Sequence, residues 1–281
     1  MVKFSMQTAL ARSTLVANIL RPYKTQGASH KPNARIMNQM KQIFGKDDVD
    51  TAGTLLGIFE RIASFRYKDL DARGEAWKGD RDFLDLEIWC NSDYVIELEY
   101  GESNVLYHDT VQDMPVENWR TLVKMKHQHD PDLEAVTSPA HHKDPKKQWP
   151  VKSPEVITFN PGYIKEVTDK NSIFNADRIR KAEINDLRDR INSHFRRTKK
   201  GWTNVDLLET LELVLHHELT HLKHTADTID VDSPNSYGWL DVLRLKSIKN
   251  ADNLAYFALV VDLIQNHHYD VDAKGKLVRF T

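Results

Sequence analysis

Leu211-Glu212-Leu213-Val214-Leu215-His216-His217-Glu218-Leu219-Thr220-His221 is an apolar run that closes on two histidines four residues apart. Leu207, Leu208, Leu211, Val214, Leu215 and Leu222 recur at helical spacing, so the sequence predicts one helix over about residues 204–224. Thr203 can cap it, with Asp206 three residues on. Residues four apart lie one turn apart on the same helix face. His217 and His221 therefore aim two imidazoles at one point, the HExxH arrangement that binds Zn²⁺. Glu218 follows directly and is placed as a general base, toward a water whose pKa zinc lowers to about 7. His216 is rotated about 100° from His217 around the helix and reads as a neighbour, not a ligand.

A catalytic zinc takes three protein ligands and keeps one position open. Spacing alone leaves the third ligand open among His224, Asp227, Asp230, Asp232 and Asp241. His224 lies a turn further along the helix than His221, which places it far from the same ion.

Outward from this helix, the chain divides by pattern. Ile36, Met40, Ile43 and Phe44 form one helical set, and Leu55, Leu56, Ile58, Phe59 and Ile62 another. Gly45 separates them, and Asp50 or Thr51 can cap the second. Residues 83–89, 94–100 and 104–107 read as strands, the last two as a hairpin with its tip at 101–103. Residues 126–154 carry five prolines, many charges and His127, His129, His141 and His142, and read as a surface loop. A short strand at 156–159 follows, and Asn160-Pro161-Gly162 turns the chain. Residues 177–200 hold nine Lys or Arg against four Asp or Glu, on a helix with Ile179, Ile184, Leu187, Ile191 and Phe195 as its apolar stripe.

Composition sets the outer bounds. Apolar residues are 40% of 281, enough for a sizeable core, and the formal net charge of −2 argues against a general nucleic-acid binder. No stretch reaches the 18 or so apolar residues of a membrane span. The single cysteine, Cys90, cannot form an internal disulfide and reads as a buried thiol. The first 46 residues contain eight Lys or Arg and no acid. Residues 1–30 lack helical period and read as a flexible basic arm, with a transit-like or removable pro-segment as the alternative.

The residues after the motif resemble the deuterolysin-type aspzincin metallopeptidases, lysine-specific members included. That family pairs HExxH with a downstream GTxDxxYG motif. Asp227-Thr228-Ile229-Asp230 resembles its first half, with Asp in place of Gly, and Tyr237-Gly238 resembles its second half after four extra residues. Asn250-Ala251-Asp252-Asn253-Leu254-Ala255-Tyr256-Phe257-Ala258 resembles the family's NADxxxxFA segment. The resemblance implies Asp230 as third zinc ligand with Asp232 as a rival, Tyr237 as oxyanion stabiliser and Asp252 on the wall of the substrate pocket. Ala255 stands where lysine-specific members carry Glu, so strict lysine specificity is not expected. The expected fold is α+β and zincin-like: a helical N-terminal part, a small mostly antiparallel sheet, and the HExxH helix as floor of the active-site cleft. One such domain would span residues 31–281. The implied activity is zinc-dependent peptide-bond hydrolysis by a monomer acting on a peptide or protein. The alternative is an inactive zincin scaffold serving as a partner-binding module or effector. Secretion is the family habit, and no clear signal segment or disulfide accompanies it here.

Overall fold

The computed structural model describes residues 1–65, 86–91, 93, 95–100, 104–110, 114–116, 122–123, 133–138, 155–170, 172–184, 202–233 and 235–281. Its class is α+β. The chain falls into two compact units, Met1–Tyr67 with Ser172–Thr281, and Lys68–Asn171.

The first unit is built on helices. α1 spans Val2–Gln26, where composition predicts a flexible arm. Its buried side carries Ser5, Met6, Ala9, Arg12, Ser13, Val16, Ala17, Leu20 and Tyr23, spaced three or four apart. Half of that stripe is small or polar, so its period is invisible to a reading that counts only large apolar residues. α2 (Ala34–Phe44) and α3 (Val49–Ala63) stand where the apolar sets predict helices. Gly45 closes α2 with φ +77°, a left-handed conformation that suits glycine. Asp48, not Asp50 or Thr51, caps α3, accepting from the Thr51 N–H at 2.8 Å.

The predicted helix over 204–224 is broken. A 3₁₀ turn at Val205–Leu208 precedes α6 (Leu211–His221), and extended backbone at Glu209 and Thr210 separates them. Thr203 and Asp206 do pair: the Asp206 carboxylate accepts from the Thr203 N–H at 2.6 Å and its hydroxyl at 2.7 Å. Asp206 also accepts from the Trp239 N–H at 2.8 Å and the Tyr256 hydroxyl at 2.7 Å. Burial pushes its carboxyl above the ordinary range, against the pull of these four donors. The hub joins the start of α7 (Trp239–Leu245) to α8 (Ala251–Asp262). Among the described residues of 177–200, α5 (Ala176–Glu183) is helical; residues 185–200 lie outside the described set.

α8 is buried along its whole length, and α6 along all but its last residue. Phe257 of α8 meets Phe44 edge to face at 5.3 Å and Phe59 at 6.2 Å. A small hairpin, β7 (Tyr269–Val271) with β8 (Leu277–Arg279), ends the unit. Its turn needs Gly275, at φ +74°, because an added Cβ would lie 2.0 Å from the Thr203 Oγ1.

The second unit carries two three-stranded sheets. β1 (Leu86–Trp89) runs parallel to β6 (Glu155–Phe159), and β5 (Ala135–Ser138) pairs with β6 antiparallel. β2 (Val95–Tyr100), β3 (Asn104–Asp109) and β4 (Met114–Val116) form an antiparallel meander, including the predicted hairpin. Tyr107, Leu122, Val123 and Val156 form a core cluster there, with Trp89 against it. Two expectations are corrected. β5 lies inside the stretch read as loop, and Asn160-Pro161 starts helix α4 (Pro161–Asp169) instead of a bare turn. Asn160 accepts from the Gly162 N–H at 2.8 Å and Pro161 takes the first helical position, where its missing N–H does no harm. The four loop histidines, 127, 129, 141 and 142, lie outside the described residues. Cys90 is exposed, not buried. No described helix is long and apolar enough to cross a membrane.

Candidate metal centre

α6 stops at His221 because Leu222 leaves the helix in an extended conformation. The carbonyls it abandons are satisfied locally. The Thr225 hydroxyl donates to Leu219 O at 2.5 Å and Leu222 O at 2.9 Å, and the Thr228 N–H donates to Thr220 O at 3.2 Å. Arg61 of α3 fixes this turn by donating to Thr225 O at 2.6 Å. Asp227 has φ +48°. Asp tolerates that left-handed position better than most residues, which accounts physically for Asp standing where the resembled motif has Gly.

The next residues are held like a strand. The Ile229 N–H donates to Lys249 O at 3.0 Å, the Ala251 N–H donates to Ile229 O at 3.3 Å, and the Val231 N–H donates to the Asn250 side-chain oxygen at 3.0 Å. Asp230 lies between these anchors. Its Oδ1 comes within 3.3 Å of His217 Nε2 and 3.6 Å of His221 Nε2, while the two Nε2 atoms are 3.0 Å apart. His217, His221 and Asp230 are a group that could hold a metal ion. Neither His224, Asp227, Asp232 nor Asp241 joins it among the described residues. Asp232 and Asp241 instead receive hydrogen bonds from Arg244, each at 3.0 Å.

The hydrogen bonds of the two imidazoles fit such an ion. His221 Nδ1 faces the Thr228 carbonyl at 3.0 Å, which can only accept, so Nδ1 carries the proton and Nε2 the lone pair. His217 Nδ1 faces the Asp252 carboxylate at 2.7 Å and takes the same tautomer. Two lone pairs and a carboxylate oxygen then converge. Asp230 Oδ1 is buried with no hydrogen-bond partner among the described residues, which is costly unless a cation sits beside it. Electrostatics favour positive charge at this point, which a proton on His217 supplies when no ion is there. Burial works to lower the His217 pKa, but the Asp230 and Asp252 carboxylates outweigh it and hold the pKa well above the ordinary value. Burial likewise works to raise the Asp230 pKa, and the attraction of His217, then the charge of His221, brings it down to about 2.

Tyr237 comes to the group despite the longer loop. Its hydroxyl donates to Asp230 Oδ2 at 2.9 Å, and its ring stacks on His217 at 5.9 Å. Burial, then the Asp230 charge, drive its phenol pKa far up, so it remains a proton donor. The extra residues are stapled by Arg244, which donates to Asp232 Oδ2 at 3.0 Å and Asn235 O at 2.5 Å. Glu218 is buried beside His217 on α6. Asp252 is the departure. The resemblance implies a substrate-pocket wall, but both oxygens are engaged inside the protein, by His217 Nδ1 at 2.7 Å and by the Gly238 N–H at 2.8 Å. The N-cap position of α8 belongs to Asn250. Sequence reading quoted Thr228 and Asn250 as motif positions and gave neither a role: the Thr228 hydroxyl lies 3.3 Å from His221 Nδ1 and 2.9 Å from the Thr220 hydroxyl, and Asn250 fixes the backbone around Asp230. Spacing carries no signal for either.

His216, next to His217 on α6 and turned about 100° from it, faces other partners. Its Nε2 bonds the Ser13 hydroxyl at 3.1 Å, and Phe59 meets it edge to face at 5.9 Å. Burial, then the Arg12 and His217 charges, lower its pKa to about 3. Compared with known proteins, the chain matches no family model, and no curated protein or solved structure is significantly similar to it.

Proposed function

We propose that this chain is a zinc-dependent metalloendopeptidase with a zincin-like fold and an aspartate as third ligand, of the deuterolysin kind. The reading is carried by the convergence of His217 Nε2, His221 Nε2 and Asp230 Oδ1, 3.0 to 3.6 Å apart. Zinc bonds to nitrogen and oxygen of about 2.0–2.2 Å give tetrahedral edges of roughly 3.3 Å, the same scale. Three protein ligands would leave one position open, the pattern of a catalytic site. Zinc held there would supply Lewis-acid polarisation of a peptide carbonyl and a lowered pKa for water.

The chain's own groups do the rest. Glu218, beside His217, takes the proton of the attacking water and returns it to the leaving amine. Tyr237 would turn its one hydroxyl proton from Asp230 Oδ2 to the oxygen that gains negative charge as the carbonyl becomes tetrahedral. Its raised pKa keeps it protonated for that task. Asp252 is committed to His217 and Gly238 and Ala255 carries no charge, so no acidic pocket for lysine is expected from this segment.

A peptide-library digest with and without chelator tests the reading. Cleavage that stops with chelator and returns with zinc is expected, without strict lysine selection. Glu218→Ala is expected to keep zinc and lose about 10²- to 10⁴-fold in turnover. A zinc-loaded protein that cleaves nothing, or a Glu218→Ala variant as active as wild type, would refute it.

A further inference from the structure

Asp252 closes a ring of contacts around the metal centre. Its Oδ1 holds His217 Nδ1 at 2.7 Å, and its Oδ2 accepts from the Gly238 N–H at 2.8 Å. His217 Nε2 faces Asp230 Oδ1 at 3.3 Å, Asp230 Oδ2 accepts from the Tyr237 hydroxyl at 2.9 Å, and Tyr237 is bonded covalently to Gly238. One carboxylate therefore touches a candidate ligand on one side and, on the other, the turn that delivers Tyr237 to the third ligand.

We propose that Asp252 is a positioning residue that sets the metal affinity of the site by fixing the His217 tautomer and the Tyr237–Gly238 turn together. The chemistry requires a carboxylate. With His217 Nε2 turned to the metal, Nδ1–H is a donor, and Gly238 N–H is a second donor. A carboxylate accepts both, whereas an amide offers one acceptor and sets its NH₂ against the other donor. Gly238 takes φ +81°, so the turn has a conformation of its own to be held in, and Asp252 lies 8% exposed, away from competing water. Carboxylates behind metal-bound histidines raise ligand basicity and fix ring orientation, and losing one costs about 10- to 100-fold in metal affinity.

The inference rests on the metal-site reading and not on peptidase activity, so it is tested on zinc binding. Zinc Kd is measured for the full chain by competition with a chromophoric chelator, alongside the thermal midpoint of each metal-free protein. Asp252→Asn, nearly isosteric, is expected to weaken zinc by about 10- to 100-fold. The control is Gln39→Ala on α2, buried, whose amide donates to Asp270 Oδ1 and Val271 O, each at 2.6 Å. It is expected to lower the thermal midpoint and leave zinc Kd within about threefold, since second-shell effects on affinity exceed that. Wild type that binds no zinc defeats the metal-site reading itself. Wild type that binds, with Asp252→Asn within threefold of it, overturns the inference; so does an equal loss in both variants, which would make the effect one of general stability. If Asp252→Asn does not fold, Asp252→Ser, which keeps a single small acceptor, is read by the same thresholds.

Discussion

Two sides of α6 carry the same side chain to opposite ends. His216 and His217 are adjacent, both buried, yet the first is held to a pKa of about 3 and the second well above the ordinary histidine value. On the His216 side of the helix, its back, lie Ser13, Phe59 and the Arg12 guanidinium, which offer His216 a hydroxyl, a ring and a like charge. On the His217 side, its front, lie Asp230 and Asp252, two carboxylates on the two nitrogens of one imidazole. Burial alone discourages charge on either ring. What differs is whether acceptors were buried with it, and the front of the helix is thereby built for a cation while the back is built against one.

The back is also where most stability is at stake. Arg12 is 2% exposed, donates through Nε to Asp262 Oδ2 at 2.9 Å and lies 4.1 Å over the Phe174 ring. Its other two nitrogens find no hydrogen-bond partner among the described residues. Arg12→Ala strands the Asp262 carboxylate in the core and is expected to cost about 3–5 kcal/mol in chemical denaturation. Zinc affinity of the molecules that remain folded should not change. A stability loss within experimental error would show that the back of the helix is not the structural side.

Acid and base should separate the two histidines in metal-free protein. His216 has a folded pKa of about 3, below its unfolded value near 6.5, so the unfolded chain binds more protons between them and stability falls as pH drops through that window. His217 has a raised folded pKa, so its contribution is fully present below about 6.5 and is lost as pH rises through the folded value. Asp230, lowered to about 2, contributes above its unfolded value near 3.9 and loses that contribution as pH falls through about 2. His216→Leu is expected to flatten the limb between pH 6.5 and 3 in pH-dependent denaturation curves and leave the alkaline limb in place. An unchanged acid limb would contradict the assignment.

The smallest effect is expected where the front is over-supported. Thr228 gives His221 both a carbonyl at 3.0 Å and a hydroxyl at 3.3 Å. Thr228→Val removes only the hydroxyl and its 2.9 Å bond to Thr220, so about 0.5–1.5 kcal/mol of stability should go while zinc stays bound. A variant unable to bind zinc would mean that the hydroxyl, not the carbonyl, orients the ring.

How much of this was legible depends on what each residue does. The HExxH helix declared itself because apolar spacing and two histidines speak in one period, and Asp230 followed from a nearby motif. α1 did not, because its buried face holds Ser5, Ala9, Arg12 and Ser13, whose fit against other helices replaces hydrophobicity as the signal. β5 was hidden because four residues among prolines and charges have no period to show, and pairing with β6 decides them. Glu209 and Thr210 broke a helix that local pattern ran through. Asp252 was visible as a residue but not in its role, since spacing cannot say which oxygen meets which hydrogen.

The central claim is that His217, His221 and Asp230 hold one zinc ion. Elemental analysis of purified chain dialysed against zinc tests it most directly, with Asp230→Ala and Asp232→Ala prepared alongside. About one zinc per chain is predicted for wild type and for Asp232→Ala, and little or none for Asp230→Ala. Folded wild type without zinc, or zinc retained by Asp230→Ala and lost by Asp232→Ala, would contradict it.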